Sequence, residues 1–221
     1  MPTCLFDAVI FDLDGVLLDS EPLYLSATNI VLAREGRYLS PEENAGYIGW
    51  RYDDFLAELI PRLGLLHPPD YYVAETRREV GRLLSGPLDP APGAADLVEC
   101  LQAAGIPLAV GSSSSHTWVE TILSGLGLRD WFPVIVGGDD VAHGKPAPDI
   151  FRRCAELLGA RPERCVVIED SPTGVLAARR AGMAAIGLRT AATAALTLEG
   201  CLAVVDSLAE CARHLGLRTE A

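Results

Sequence analysis

Two carboxylates one residue apart, Asp12 and Asp14, close the short apolar run LFDAVIF at residues 5–11. On a strand, side chains two apart share a face, so both acids present oxygens to one space. Like charges that close need a shared proton or a cation between them. A divalent cation resolves the conflict. Hard carboxylate oxygens suit Mg2+, which keeps waters and room for phosphate oxygens. A solvated acidic turn is the plain alternative, and the buried character of the run before it argues against that. Gly15 suits a tight turn that opens the backbone beside the pair. A second acidic pair, Glu169 and Asp170, follows another apolar run, CVVI at 165–168. Alone it would read as a helix N-cap by Asp170 or Ser171; beside the first pair it supplies further ligands. The metal candidates are therefore Asp12, Asp14, Glu169 and Asp170.

The 18 basic residues comprise 17 Arg and one Lys, Lys145 in HGKPAPD. Lysine carries a compact point charge and arginine a planar fork, so a chain that otherwise uses Arg keeps an ammonium at one place. Ser112 follows LAVG and, with Ser113, begins a run of four serines before His116. Hydroxyls and backbone N–H groups ahead of a helix can cradle a phosphate. Together these residues spell phosphoryl transfer. Asp12 attacks phosphorus, Lys145 and the Ser112 loop neutralise the equatorial oxygens, and Asp14 exchanges the protons.

The elements that must position them follow from the periodicity. Helices at 22–35, 53–63 and 70–84, interrupted by Pro61 and by Pro68-Pro69, form a stretch without a good strand. After the turn-rich GPLDPAPG at 86–93, strands at 107–110, 133–136, 165–168, 183–187 and weakly 202–205 alternate with helices at 94–104, 116–126, 148–158, 173–181 and 207–215. That alternation predicts an α/β fold, a Rossmann-like parallel sheet with right-handed crossovers. The expected division is a core of 1–17 and 88–221 with an α-helical cap, 18–87, inserted after the first strand. Sites in such sheets lie at the carboxyl ends of strands, where the residues named above fall.

The formal net charge is −12. The arginines are scattered, with none of the basic patch that nucleic-acid binding requires. No 18-residue apolar stretch and no basic leader is visible, so a cytoplasmic protein without membrane insertion is expected. The six cysteines show no zinc-like spacing and read as small hydrophobes.

The set D12-L-D-G-V-L-L-D-S-E-P22, Ser112, K145-P-x-P-D149 and E169-D-S-x-x-G174-x-x-A-A-x-x-A-G182 resembles the haloacid dehalogenase superfamily, in order and over nearly the whole chain. It is most similar to the branch with a helical cap that holds β-phosphoglucomutase and many small-metabolite phosphatases. The resemblance implies Asp12 as nucleophile and Asp14 as acid/base. It implies Mg2+ held by the Asp12 carboxylate, the Asp14 backbone carbonyl and Asp170, with Glu169 in support. An aspartate at position 14 favours phosphate over halide. Where the mutases carry a cap histidine this chain has Tyr24. Where they carry a G-x-S-R segment it reads G49-W-R-Y-D-D54. These departures favour a phosphatase over a sugar phosphomutase. Tyr24, Arg51, Tyr52, Ser113 and His116 are the expected substrate contacts, with Trp50 and the cap cations Arg77, Arg78 and Arg82 as alternatives for packing or a second anion. A small phosphorylated metabolite is the expected partner, and a monomer or homodimer the expected assembly.

Overall fold

The computed structural model describes residues 4–47, 52–84, 88–194 and 196–217. The chain divides into two compact units, one of residues 1–19 with 88–221 and one of residues 20–87.

The first unit is a six-stranded parallel sheet in the order β3-β2-β1-β4-β5-β6. The strands are β1 (Ala8–Phe11), β2 (Leu108–Gly111), β3 (Val134–Val136), β4 (Cys165–Glu169), β5 (Ala184–Leu188) and β6 (Ala203–Val205). β1 and β4 pair in register from Ala8 opposite Cys165 to Phe11 opposite Ile168, and β1 pairs with β2 on its other side. Every residue of AVIF and CVVIE is buried. This is what a central parallel strand covered on both faces demands, and why these runs are continuously apolar rather than alternating. Helices α5 (Ala94–Ala103), α6 (His116–Gly125), α7 (Asp149–Leu158) and α8 (Pro172–Arg180) lie in the crossovers, and α9 (Leu208–His214) follows the last strand. Ile150, Phe151, Cys154 and Ala155 of α7, with Val175, Ala177 and Ala178 of α8, pack against Ile10 and Val167 in one cluster. The strands themselves are buried and apolar, so the polar side chains of the sheet fall at the ends of β1, β2 and β4, the place for chemistry.

The first strand begins at Ala8, three residues later than the apolar run suggested. Asp7 is instead drawn to the surface, where Arg164 Nη2 donates to its Oδ1 at 2.8 Å.

The second unit is helical: α1 (Glu21–Ala33), α2 (Pro41–Ala45), α3 (Tyr52–Leu63) and α4 (Pro69–Leu83). Pro61 falls within the last turn of α3 and is accommodated there. The short α2 was not expected, although Ser40 and Glu43 form a reciprocal capping box at its start. Val31, Leu32, Leu39, Phe55, Leu56, Leu59 and Tyr72 form its core. Arg34, which caps the end of α1, bridges Glu75 at 2.6 Å and Glu79 at 2.5 Å on α4, and both glutamates are nearly buried. Among the described residues no helix is long and apolar enough to cross a membrane.

Candidate active site

Asp12 is the first residue past β1, and its N–H continues the ladder by donating to Ile168 O at 2.9 Å. Its side chain is buried, and Lys145 Nζ donates to Asp12 Oδ1 at 2.5 Å. The same ammonium donates to Glu169 Oε1 at 2.8 Å. It lies over the Phe151 ring, 4.8 Å from the centroid. Lys145 is therefore enclosed by two carboxylates and an aromatic face, with only 5% of its side chain exposed.

Glu169 is saturated by its surroundings. Its Oε2 accepts from the Ser171 N–H at 2.7 Å and the Ser171 hydroxyl at 2.9 Å. That hydroxyl in turn accepts from the Gly174 N–H at 3.0 Å and so caps α8. A Cβ at position 174 would stand 1.6 Å from Glu169 Oε1, so the carboxylate occupies the space a side chain would take. Gly15 serves Asp170 in the same way. Its φ of +82° is a conformation glycine tolerates, and a Cβ there would stand 2.1 Å from Asp170 Oδ2.

Oxygens of Asp12, Glu169 and Asp170 lie within 4.8 Å of one another, all three residues buried. Burial pushes the Asp12 and Asp170 carboxyls well above the ordinary range. Lys145 pulls Asp12 back, and the neighbouring acids raise both further. Burial alone would push the Lys145 ammonium down, but Asp12 and Glu169 more than offset this and hold it protonated. Three hard-oxygen donors facing one ammonium leave an excess of negative charge in a dry site. That donor set and that charge fit a divalent cation such as Mg2+. The Asp14 side chain is engaged by the serine loop, Ser114 Oγ donating to Asp14 Oδ2 at 3.1 Å; the ligand expected from Asp14 by resemblance is its backbone carbonyl.

Ser112 begins the loop after β2. It is buried, its N–H donates to Val136 O at 3.0 Å, and its hydroxyl accepts from the Ser114 N–H at 3.0 Å. Ser113 is exposed beside it. His116 opens α6, with its N–H donating to Asp139 Oδ1 at 2.7 Å and its Nδ1 2.6 Å from Asp140 Oδ2. The sheet thus brings Asp12, Lys145, Glu169 and Asp170 together, with Asp14 joined to the Ser112 loop. Tyr24 and Tyr52 belong to the helical unit. Tyr24 is half-buried on α1. Tyr52 opens α3 and packs on Phe55 with centroids 5.5 Å apart. Burial raises its phenol, and Thr76 and Thr28 beside it lower it in part. Arg51 and Trp50 lie outside the described residues. Arg78 and Arg82 pair with Glu75 and Glu79 on their own helix.

Sequence reasoning did not single out Ser114, Phe151, Asp139 or Asp140, and it named Ser171 only as a helix N-cap, which it is for α8. Signals existed for some: the serine run for Ser114, and a Gly-Gly-Asp-Asp turn after β3 for Asp139 and Asp140.

A family model of haloacid dehalogenase-like hydrolases matches residues 6–182. The fructose-1-phosphate phosphatase YqaB of Escherichia coli is 36% identical over 83% of this chain and 97% of its own length. A haloacid dehalogenase family hydrolase of Deinococcus radiodurans, solved with phosphate and sodium, is 37% identical, covers 99% of this chain and 100% of that one, and superposes with a TM-score of 0.81. CbbY of Rhodobacter sphaeroides, solved with phosphate, gives a TM-score of 0.83 at 31% identity, over 96% of this chain and 100% of that one.

Proposed function

Because the chain belongs to the haloacid dehalogenase-like hydrolases and is an enzyme of that family, we propose that it is a Mg2+-dependent phosphatase of small phosphorylated metabolites, working through a phosphorylated Asp12. The observation that carries this reading is the buried Asp12 carboxylate held by the Lys145 ammonium at 2.5 Å, with Asp14 two residues on and tied to the serine loop. A carboxylate fixed at one oxygen by a cation keeps the orientation an in-line attack requires.

In the first step an Asp12 oxygen forms a bond to phosphorus as the bond to the ester oxygen breaks. Asp14 gives that leaving oxygen a proton. Lys145 faces the same reacting centre and balances the charge that gathers on the phosphoryl oxygens, as the Ser112 hydroxyl and the N–H groups of its loop do from the other side. In the second step Asp14 takes a proton from water as it attacks phospho-Asp12, releasing inorganic phosphate and restoring the carboxylate. Asp12 and Asp170 would hold Mg2+, which would supply positive charge to the phosphoryl oxygens. Glu169 keeps Lys145 in place, and the fully buried Leu13, Val16 and Leu17 beneath the turn keep water out from below.

The Escherichia coli relative is a fructose-1-phosphate phosphatase, which supports a phosphorylated sugar as the substrate class. A panel of sugar phosphates, polyol phosphates, nucleotides and phosphoglycolate, read by phosphate release with Mg2+, tests the proposal. Steady phosphate release from sugar phosphates is expected. Dominant conversion of β-glucose 1-phosphate to glucose 6-phosphate, in the presence of a bisphosphate activator, would move the reading to a phosphomutase.

A further inference from the structure

We propose that His116 and Asp140 form a positioning pair that sets, through Ser114, where the Asp14 carboxylate points. The inference rests on the reading of Asp14 as proton donor and extends it to residues outside the reacting centre.

The turn after β3, Gly137–Asp140, holds His116 at two points. Asp139 Oδ1 accepts the His116 backbone N–H at 2.7 Å, so α6 is capped from outside its own chain segment. Asp140 Oδ2 lies 2.6 Å from His116 Nδ1 and also accepts the Gly137 N–H at 2.8 Å. Burial alone would raise the Asp140 carboxyl, but the Gly137 N–H and His116 outweigh it and hold it below its ordinary range, ionised and able to accept both bonds.

The same turn then grips Ser114, whose carbonyl accepts the Gly138 N–H at 2.7 Å. There is no slack in this contact. A Cβ on Gly137 would stand 2.3 Å from His116 N, and one on Gly138 would stand 2.4 Å from Ser113 O. Ser114 is thereby fixed by its carbonyl to the turn, by its N–H to Ser112 Oγ at 3.0 Å, and by its hydroxyl to Asp14 Oδ2 at 3.1 Å. A shift of the turn passes through Ser114 to Asp14. Ser112 is less affected, because its own N–H is bonded to Val136 O in the sheet. Breaking the His116–Asp140 contact therefore disturbs proton donation more than phosphate binding.

The leaving group makes this measurable. An alkyl phosphate such as a sugar phosphate expels a basic alkoxide and needs the proton. p-Nitrophenyl phosphate expels a stable phenolate and needs it far less. kcat/KM reports the first transfer to Asp12 and is compared for both substrates in His116→Ala, Asp140→Ala and the double variant, each checked for folding by circular dichroism and melting. In Asp140→Ala the sugar phosphate is expected to lose about tenfold in kcat/KM, a fraction of what general acid catalysis supplies, with p-nitrophenyl phosphate nearly unchanged. The His116 variants are read by the ratio of the two substrates. The double variant loses no more than either single one, because the two residues act as one unit. Relative to His116→Ala, His116→Asn restores the sugar-phosphate rate, since its amide can donate where Nδ1 does; if His116→Ala does not fold, Asp140→Ala carries the test. Equal losses on both substrates, or none, overturn the proposal. Asp14→Ala is the control. If it shows a leaving-group preference and the pair does not, the pair has failed. If it shows none, the acid role of Asp14 has failed and the pair falls with it.

Discussion

Oε1 of Glu169 sits 2.8 Å from the Lys145 ammonium, on the side away from the Ser171 groups that hold Oε2. The glutamate is thus a fixed support, at the end of β4, for a cation that reaches Asp12 at the end of β1. The enclosure is shaped for an ammonium, with the Phe151 ring 4.8 Å away on another side. A guanidinium keeps the charge but is planar and longer. Lys145→Arg is expected to lower kcat/KM by at least about tenfold, about 1.4 kcal/mol of transition-state stabilisation. Steady-state kinetics on the best panel substrate checks this, and unchanged values would make the single lysine a compositional accident.

Asp12 and Asp14 are expected to fail differently. Asp12→Asn replaces the proposed nucleophile by an amide and should cost at least about 10⁴-fold in kcat. No phosphoenzyme should be trapped on acid quenching. Asp14→Ala removes proton transfer and should cost about 10²–10⁴-fold, with phosphoenzyme still accumulating from an aryl phosphate. A nearly silent Asp14→Ala would leave the nucleophile standing without its acid.

Burial and mutual repulsion lift the Asp12 and Asp170 carboxyls, so in the metal-free protein these groups hold protons above the ordinary carboxyl range. The folded chain then binds more protons than the unfolded one in that window, and metal-free stability falls as pH rises through it. Protons and Mg2+ compete for the same oxygens, so Mg2+ binds more tightly at higher pH. At a hundredfold excess over its Kd the ion adds about 2.7 kcal/mol, about 5–10 °C in Tm for a chain of this size. Melting curves with Mg2+ or EDTA should show a larger gap at about pH 8 than at about pH 6. EDTA should also abolish turnover. A gap independent of pH would separate the ion from these carboxylates.

Two glycine substitutions should move stability in opposite directions. Gly174→Ala would drive a methyl into Glu169 Oε1. A loss of about 1–3 kcal/mol is expected from such overpacking, together with reduced activity as Glu169 shifts beneath Lys145. Gly81 lies inside α4 with nothing within 4 Å of its Cβ position. Gly81→Ala should stabilise the helical unit by about 0.5–1 kcal/mol. Chemical denaturation of both variants gives the comparison.

The parallel sheet was legible because its strands are fully buried apolar runs, β4 most plainly, each punctuated by helix and turn signals. Most element ends shifted by a residue or two and the start of β1 by three; at Leu108–Gly111 the strand takes in Gly111, where a Cβ would meet Ile150 and Phe151. The approach of Asp12, Lys145 and Glu169 could be anticipated from strand ends, since a parallel sheet gathers them at one edge. The side-chain direction of Asp14 could not. Strand parity stops applying at Leu13, where the chain winds into a tight turn, with the Leu17 and Leu18 N–H groups both donating to Leu13 O. Ser114, Asp139 and Asp140 were hidden for a related reason. Each works through a loop-to-loop hydrogen bond, and no periodicity encodes which loop a turn will meet.

The seclusion of the single lysine has a consequence for labelling. Lys145 carries the only side-chain amine in the sequence, and it is ion-paired and 95% covered. Acylating reagents therefore meet no reactive lysine on the folded chain and one on the opened chain. The mass gained at that residue during a brief pulse of reagent would count openings of the site around Asp12 directly, with no engineered probe.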